Sequence, residues 1–318
     1  MSAPAALGPR APERTRRHTG TGAGPGSRPR GDGLWPWLFL APTVLGIGVL
    51  YVWPLIRNVL YSFTRWGPFG DAQFIGTANY ERLLTDATLV TALANTLVYT
   101  GIVLLGIPIA VVVATLLDRP GLKGAWFYRI LFLMPYIAMP TAVALVWRLI
   151  FNGDFGVLNQ VLAVVGIDGP HWVSTPGYAL VAVSLVGLWS SLGLAVIILG
   201  AGLRSIPAEL YEAAQLDGAG PWRILRSVTV PLLTPSIFFV SVITVITAFQ
   251  LFDLLFALLG QENPATPATQ SLVMRFYTVG FVAGDRGYAA AIAVLILVII
   301  GALTALQFRL QRRWVHYD

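Results

Sequence analysis

The chain has 318 residues, of which 56% are hydrophobic and only 11% are charged. Average soluble domains are about 45–50% apolar and about 25% charged. So few charged side chains cannot coat a water-soluble globule, which argues against a soluble enzyme, a disordered protein and a coiled coil. The formal net charge of +6 does not require a nucleic-acid partner, because membrane proteins collect Arg and Lys on cytoplasmic loops. We therefore expect an all-α integral membrane protein.

The N-terminal segment 1–33 is rich in Pro, Gly, Ala and Arg and has no hydrophobic periodicity. This composition predicts a disordered tail. The tail is not a usual signal peptide, because the apolar segment after it is too long and no small-residue cleavage site ends that segment. Residues 34–318 then form one membrane domain.

Six apolar segments follow the tail, and most reach the roughly 20 residues needed to cross about 30 Å of hydrocarbon. Helices are expected, because a spanning segment must satisfy its own backbone hydrogen bonds. The segments lie near 34–56, 93–116, 130–147, 179–203, 231–258 and 288–308. Inside these bounds Asp253 is the only charged residue, and kinks are expected at Pro42, Pro54, Pro108, Pro135, Pro140 and Pro235.

The basic residues predict the orientation of the chain. Six spans place both termini on one side of the membrane, and that side carries fifteen Arg and Lys residues against six on the other. The positive-inside rule makes the richer side cytoplasmic. We expect a multi-pass protein of the cell membrane, with both termini and loop 204–229 in the cytoplasm and segment 151–178 outside.

Span four contains an indole among small residues, in Gly187-Leu-Trp189-Ser190-Ser191-Leu-Gly193. An aromatic ring can stack on the C–H face of a sugar, hydroxyl groups can bond its hydroxyls, and glycine leaves room. The same pattern also fits an aromatic-belt residue with small packing neighbours.

Loop 204–229 predicts a short helix. Ser205 is the expected N-cap, Pro207 and Glu209 suit the first turn, and Gly218 stops the helix. Its i, i+3, i+4, i+7 face has almost no bulk, so another backbone could approach it closely. The alternative is an amphipathic helix resting on the membrane surface. That face consists of Leu210, Ala213, Ala214 and Asp217.

Span five carries a polar residue at every third position, namely Ser241, Thr244, Thr247, Gln250 and Asp253. A period of three winds round an α-helix, so different members face different neighbours. The threonines equally fit hydrogen bonds between helices. An intramembrane Asp253 suggests a pocket or gate, or a solvated position near the outer end.

The ingredients of several catalytic sites are missing. Lys123 is the only lysine, and it does not stand in a G-x-x-x-x-G-K-[ST] phosphate loop. The three histidines lie outside the spans and the chain has no cysteine, which excludes an intramembrane Ser–His dyad, disulfides and thiolate zinc sites. We expect no catalytic residues, no metal site and no cofactor, with any ATP bound by another chain.

The sequence Glu212-Ala213-Ala214, then three residues, Gly218, then nine residues and Val228-x-Val230-Pro231 resembles the EAA signature of ABC-importer permeases. The family usually has Ile and Leu where this chain has the two valines. Four further segments are similar to carbohydrate permeases of the MalF/UgpA type. They are Phe74-Ile-Gly-Thr-Ala-Asn-Tyr80, Phe151-Asn-Gly-Asp-Phe-Gly-Val-Leu-Asn159, Phe249-Gln-Leu-Phe-Asp253 and Gly287-Tyr-Ala-Ala-Ala291.

This resemblance implies a type I ABC importer permease fold and a division of labour. A heterodimer with a second, MalG/UgpE-like permease would form the pore, two separate ATPase subunits would each receive an EAA helix, and an extracytoplasmic solute-binding protein would deliver a carbohydrate. Residues implied to couple to the ATPase are Leu210, Glu212, Ala213, Ala214, Asp217 and Gly218. Residues implied to line the substrate pathway are Tyr136, Trp189, Ser190, Ser191, Thr244, Gln250 and Asp253.

Two other functions remain open at this point. The same fold could carry another solute, such as a phosphorylated glycerol compound. A six-span channel or scaffold without a transport cycle is the alternative from a different class.

Overall fold

The computed structural model describes residues 35–119 and 121–314. The tail predicted over residues 1–33 lies outside the described residues. Two compact units divide the chain between Pro54 and Leu55. The described part of the first unit is apolar helix, and the second unit contains the elements that form the candidate site.

Nearly all described elements are helices. The α-helices are α1 (Trp35–Ile47), α2 (Trp53–Tyr61), α3 (Ala78–Thr85), α4 (Ala87–Leu104), α5 (Gly106–Leu117), α6 (Ala125–Ile137), α7 (Pro140–Ile150), α8 (Val157–Val164), α9 (Tyr178–Leu203), α10 (Ala208–Leu216), α11 (Pro221–Ile224), α12 (Val230–Leu232), α13 (Thr234–Phe249), α14 (Asp253–Leu259), α15 (Thr266–Thr269), α16 (Leu272–Tyr277) and α17 (Arg286–Trp314). Single π-helical turns follow α1, α11 and α16, at Gly48–Val52, Leu225–Thr229 and Thr278–Val282. Strands β1 (Thr64–Arg65) and β2 (Gln73–Phe74) form an antiparallel hairpin in which Thr64 is opposite Phe74.

Four helical stretches are long and apolar enough to cross a membrane, and two bent pairs bring the number to the six predicted spans when each pair is counted as one span. The four stretches are Trp37–Tyr61, Ala87–Leu117, Tyr178–Leu203 and Arg286–Arg312. In the third span, the helix direction bends by 96° between α6 and α7. In the fifth span, it bends by 70° between Pro221–Leu232 and Thr234–Phe249. Both bends precede a proline in the first turn of the next helix, where its missing N–H costs no helical bond.

The predicted bounds of spans three and five need correction. Arg129 lies inside α6 and Arg148 inside α7, so the third span is longer than the interval between these two arginines. The fifth span ends at Phe249, because α13 stops there and a new helix starts at Asp253. Asp253 is therefore not inside the spanning helix. It lies in the first turn of α14 and is exposed.

Helix α9 packs against α4, α5, α6 and α13. Glycines permit two of these contacts. A methyl group on Gly193 would overlap the carbonyl oxygen of Phe132, and one on Gly187 would overlap the hydroxyl of Tyr99. Small residues let membrane helices approach backbone to backbone in this way, so the position of α6 beside α9 depends on Gly193.

A buried polar network ties the start of α4 to α16 and α17. The Asp86 carboxylate accepts hydrogen bonds from the backbone amides of Thr88 and Leu89 at 2.9 and 3.1 Å. It also accepts from Arg275 at 2.9 Å and from the Tyr288 hydroxyl at 2.8 Å. Burial alone raises the pKa of Asp86, but these hydrogen bonds and the charge of Arg275 outweigh it and lower the pKa to about 2.

Candidate functional site

A small cavity of about 80 Å³ lies between α6, α9 and α13. Four of its lining residues carry hydroxyl groups and the other five are apolar. The hydroxyl-bearing residues are Tyr136, Ser191, Thr244 and Thr247, and the apolar residues are Leu194, Ala195, Ile198, Val240 and Ile243. Three of the predicted pathway residues, Tyr136, Ser191 and Thr244, thus come together in one place.

Helical periodicity explains this lining. The four α9 residues stand at positions 191, 194, 195 and 198, and the four α13 residues at 240, 243, 244 and 247. Both sets have i, i+3, i+4, i+7 spacing and so form one face of each helix. Tyr136 comes from the last turn of α6, just before the chain bends.

The four hydroxyl groups differ in their available hydrogen bonds. Ser191 donates to the Leu188 carbonyl at 2.8 Å and Thr247 donates to the Ile243 carbonyl at 2.9 Å, so both keep lone pairs that can accept. Among the described residues, the hydroxyls of Tyr136 and Thr244 have no hydrogen-bond partner. Each of these two groups can therefore both donate to and accept from a solute that reaches it.

Trp189, Ser190, Gln250 and Asp253 do not line this cavity. Trp189 instead packs edge-on against Trp147, with ring centroids 5.4 Å apart, and keeps 40% of its surface exposed. Ser190 is half-buried on α9, and Gln250 is exposed at the C-terminal end of α13.

Thr247 is a cavity residue that was not among the selected candidates. The polar residues at every third position of span five include Thr247, but a period of three does not follow one face of an α-helix. Counting from Val240 at i, i+3, i+4 and i+7 identifies the face that includes Thr244 and Thr247.

Loop 204–229 contains the predicted helix, with a different start. Helix α10 begins at Ala208, and Pro207 occupies the N-cap position. Ser205 is not the cap, because its hydroxyl bonds back to the Gly202 carbonyl at 2.7 Å and two residues separate it from the helix. The helix ends where expected, since Gly218 adopts a left-handed φ of 72°.

Helix α10 has two distinct faces. Ala208, Tyr211, Glu212 and Gln215 line a cavity of about 820 Å³, together with Asp118, Arg119 and Arg204 at the ends of α5 and α9. The opposite face presents Leu210, Ala213 and Asp217, all exposed, while Ala214 on the same face is half-buried. Glu212 and Ala213 therefore point to different sides of the helix.

Charges in the larger cavity are partly paired. Asp118 lies 3.4 Å from both Arg129 and Arg204, so one carboxylate faces two guanidinium groups. Within the described ranges 35–119 and 121–314, no group of three or more His, Asp or Glu side chains is arranged to hold a metal ion.

The comparisons with known proteins agree on one group of membrane proteins. Residues 92–316 match the family model described as "Binding-protein-dependent transport system inner membrane component". The sn-glycerol-3-phosphate transport system permease protein UgpA of Agrobacterium fabrum is 33% identical over 285 residues, which cover 89% of this chain and 96% of that protein. The multiple sugar-binding transport system permease protein MsmF of Streptococcus mutans is 32% identical over 283 residues, covering 88% of this chain and 96% of that protein.

Solved structures are similar in fold. A chain of a bacterial alginate ABC transporter, in complex with an alginate pentasaccharide-bound periplasmic protein, has a TM-score of 0.77 at 22% identity. That likeness covers 88% of this chain and 95% of the other. A chain of the MetNI methionine ABC transporter has a TM-score of 0.53 at 20% identity and covers 75% of this chain and 99% of the other.

Proposed function

Because the chain belongs to the family of binding-protein-dependent transport system inner membrane components, we propose that it forms part of the pore of a carbohydrate importer. It is a membrane-spanning permease of an ABC importer and is not itself an ATPase. A binding protein and an ATPase are therefore its partners. The finer arrangement is a heterodimer with a second permease, served by two ATPase subunits.

The lining of the 80 Å³ cavity is the observation that favours a carbohydrate. Four of its lining residues carry a hydroxyl group, and none of its lining residues is charged. A neutral polyol exchanges hydrogen bonds with such groups, whereas a phosphate ester carries negative charge that needs a cationic partner when it leaves water. Relatives named for glycerol phosphate and for sugars are similarly close, so the proposal of a carbohydrate rests on this chemistry.

The cavity is smaller than the roughly 300–1,000 Å³ typical of ligand pockets. A solute site of useful size therefore requires widening of this space or completion by the second permease. The bends in spans three and five divide each into two segments, and movement of one segment relative to the other would widen the gap between α6, α9 and α13. Alternate opening to the two sides of the membrane follows from such movement.

Removal of individual hydroxyls tests the carbohydrate site. In proteoliposomes containing the whole transporter, Thr244→Val and Tyr136→Phe should each raise the half-saturating sugar concentration about 2- to 12-fold, because a neutral hydrogen bond contributes about 0.5–1.5 kcal/mol. Thr91→Val is the matched control, since Thr91 is an exposed threonine outside the cavity. Normal transport by both cavity variants contradicts the proposal.

The same assay separates the other readings of the sequence. A channel would take up solute without ATP, and a glycerol-phosphate importer would be inhibited by that compound but not by sugars. Trp189→Ala and Asp253→Asn test the predicted pathway residues that lie outside the cavity. Unchanged uptake by these two variants would limit the solute site to the three-helix cavity.

A further inference from the structure

We propose that α8 is an interfacial helix whose exposed valine face lies in the bilayer, at the boundary between headgroups and acyl chains. The valine face consists of Val157, Val161, Val164 and Val165. This inference requires only that the chain spans a membrane, and it is independent of which solute is carried.

Helix α8 is amphipathic in an unusual sense, because its apolar side is the exposed side. Val161 is 60% exposed and Val164 is 87% exposed, and at 100° per residue all four valines fall on one side of the helix axis. Phe155 and Ile167, which flank the helix, are also more than half exposed. Contiguous apolar patches of this kind mark contact with another surface.

The opposite side of α8 is fixed to the adjacent loop through Asn159. Its amide nitrogen lies 2.9 Å from the Gly153 carbonyl and 3.2 Å from the carbonyls of Gly169 and Pro170. Its amide oxygen accepts a hydrogen bond from the Trp172 indole at 2.7 Å. The helix cannot roll to bury its valines without breaking these bonds, so the valine face stays directed away from the protein.

The position of α8 along the chain sets its depth in the membrane. Only residues 151–156 separate it from α7, the second half of the third span. Phe151 in this connection is buried and packs on Trp147 of α7, with ring centroids 5.0 Å apart. Leu145 and Leu149 of α7 are exposed, so apolar surface continues from the spanning helix towards α8. The valine face therefore begins at the level where the span leaves the hydrocarbon.

Charge distribution favours lipid over a water-soluble partner. Residues 155–167 contain no charged side chain, and Asp154 and Asp168 stand immediately outside this stretch. A binding protein that docks and leaves would expose this surface to water between encounters, and non-obligate interfaces are only about as apolar as the rest of a protein surface. The bilayer covers the patch permanently, and no anionic lipid is needed because no basic residue takes part.

Spin labelling tests the proposal cleanly, since the chain has no native cysteine. Labels are placed by Val161→Cys and Val164→Cys in the full transporter, in nanodiscs of uncharged phosphatidylcholine, with Asp154→Cys as the exposed polar control. We expect the ratio of oxygen to water-soluble nickel-chelate accessibility at both valine positions to exceed the control ratio severalfold. Raising the salt concentration should not change that ratio.

Two outcomes overturn the proposal. Nickel-chelate accessibility equal to that at position 154 would place the valine face in water. Accessibility to both reagents that falls only when the solute-binding protein is added would make the valine face a docking site for that protein. Neither result bears on the hydroxyl-lined cavity, so failure here is distinguishable from failure of the proposed transport function.

Discussion

Asp86 shows how one side chain can hold several elements together. Its carboxylate caps the N-terminus of α4 and forms an ion pair with Arg275. Both side chains are at least four-fifths buried. Replacing one member of such a pair leaves the other charge without its partner. Two of the family-like segments have a similar structural role: Asn79 donates to the carbonyls of Ser62 and Thr64, and Tyr288 donates to Asp86.

The Asp86→Asn variant should lose roughly 3 kcal/mol of stability, because Arg275 would remain buried without a countercharge. Thermal unfolding of the purified complex measures the loss. Arg204→Ala is the control, since its ion pair with Asp118 is more than half exposed on the Arg204 side and contributes at most about 1 kcal/mol. Equal effects of the two substitutions would contradict the buried-pair interpretation.

The contribution of Asp86 should depend on pH in a defined direction. Its folded-state pKa of about 2 lies below the ordinary Asp value of 3.8, so the carboxylate stabilises the folded state above pH 4. That stabilisation is lost as the pH falls from about 4 to about 2. The difference in melting temperature between wild type and Asp86→Asn should therefore be constant above pH 5 and shrink in acid.

For single residues, the sequence predicts the type of side chain in the cavity better than it predicts which candidates lie there. Tyr136, Ser191 and Thr244 meet in one cavity, but Trp189 and Asp253 lie elsewhere. Asp253 lies outside the cavity because the helix breaks after Phe249, and no proline or glycine marks this break in the sequence. Trp189 stands two residues before Ser191, about 200° away round α9, so it faces away from the cavity and packs on Trp147.

Among the helices, α9 is the one whose packing depends most clearly on close contact with the backbone of a neighbouring helix. At Gly193 the α-carbon of Leu133 lies 2.9 Å from where a methyl group would stand, whereas Gly200 on the same helix has nothing within 4 Å. Gly193→Ala should therefore destabilise the protein by about 1–3 kcal/mol through overpacking. Gly200→Ala should be neutral or gain up to about 1 kcal/mol, because alanine is the better helix former. Melting temperatures of the two variants decide, and equal values would show that α6 and α9 can separate freely.

The positions of prolines predict where the two bent spans divide, but they do not predict the bend angles. Pro140 and Pro235 each begin a new helix, as their missing N–H groups favour. Pro42 and Pro135, however, lie inside α1 and α6. The 96° and 70° angles depend on packing against neighbouring helices, which a single sequence does not encode locally.

For the whole molecule, we expect coupling to the ATPase to depend on the face of α10 that presents Leu210, Ala213 and Asp217. Ala213 is exposed on that face, and we expect Ala213→Trp to prevent close docking and uncouple ATP hydrolysis from uptake. Ala72→Trp is the control, because Ala72 is an exposed alanine in the β1–β2 hairpin. Unchanged uptake and ATPase binding in Ala213→Trp would rule out this docking face. Glu212, on the opposite face, should tolerate Gln better than Lys if its carboxylate meets a basic group.

Membrane orientation is the other prediction at this scale. Reporter fusions at Gly169 and Gly220 should give opposite signals, with the Gly220 fusion active in the cytoplasm, because Arg and Lys are concentrated on the side of both termini. A reporter at Gly169 with cytoplasmic activity would reverse the topology.

The bend between α6 and α7 has an electrical consequence for the cavity. Pro140 lacks an N–H group, so the carbonyl of Tyr136 has no donor four residues ahead, and the C-terminal end of α6 lies inside the third span beside the cavity. The aligned peptide dipoles of a helix give this end a partial negative charge. We expect the bend to leave carbonyl acceptors for hydroxyl donors beside the cavity without any charged side chain. Since peptide dipoles do not titrate, the availability of these acceptors is the same at every pH at which the protein is folded.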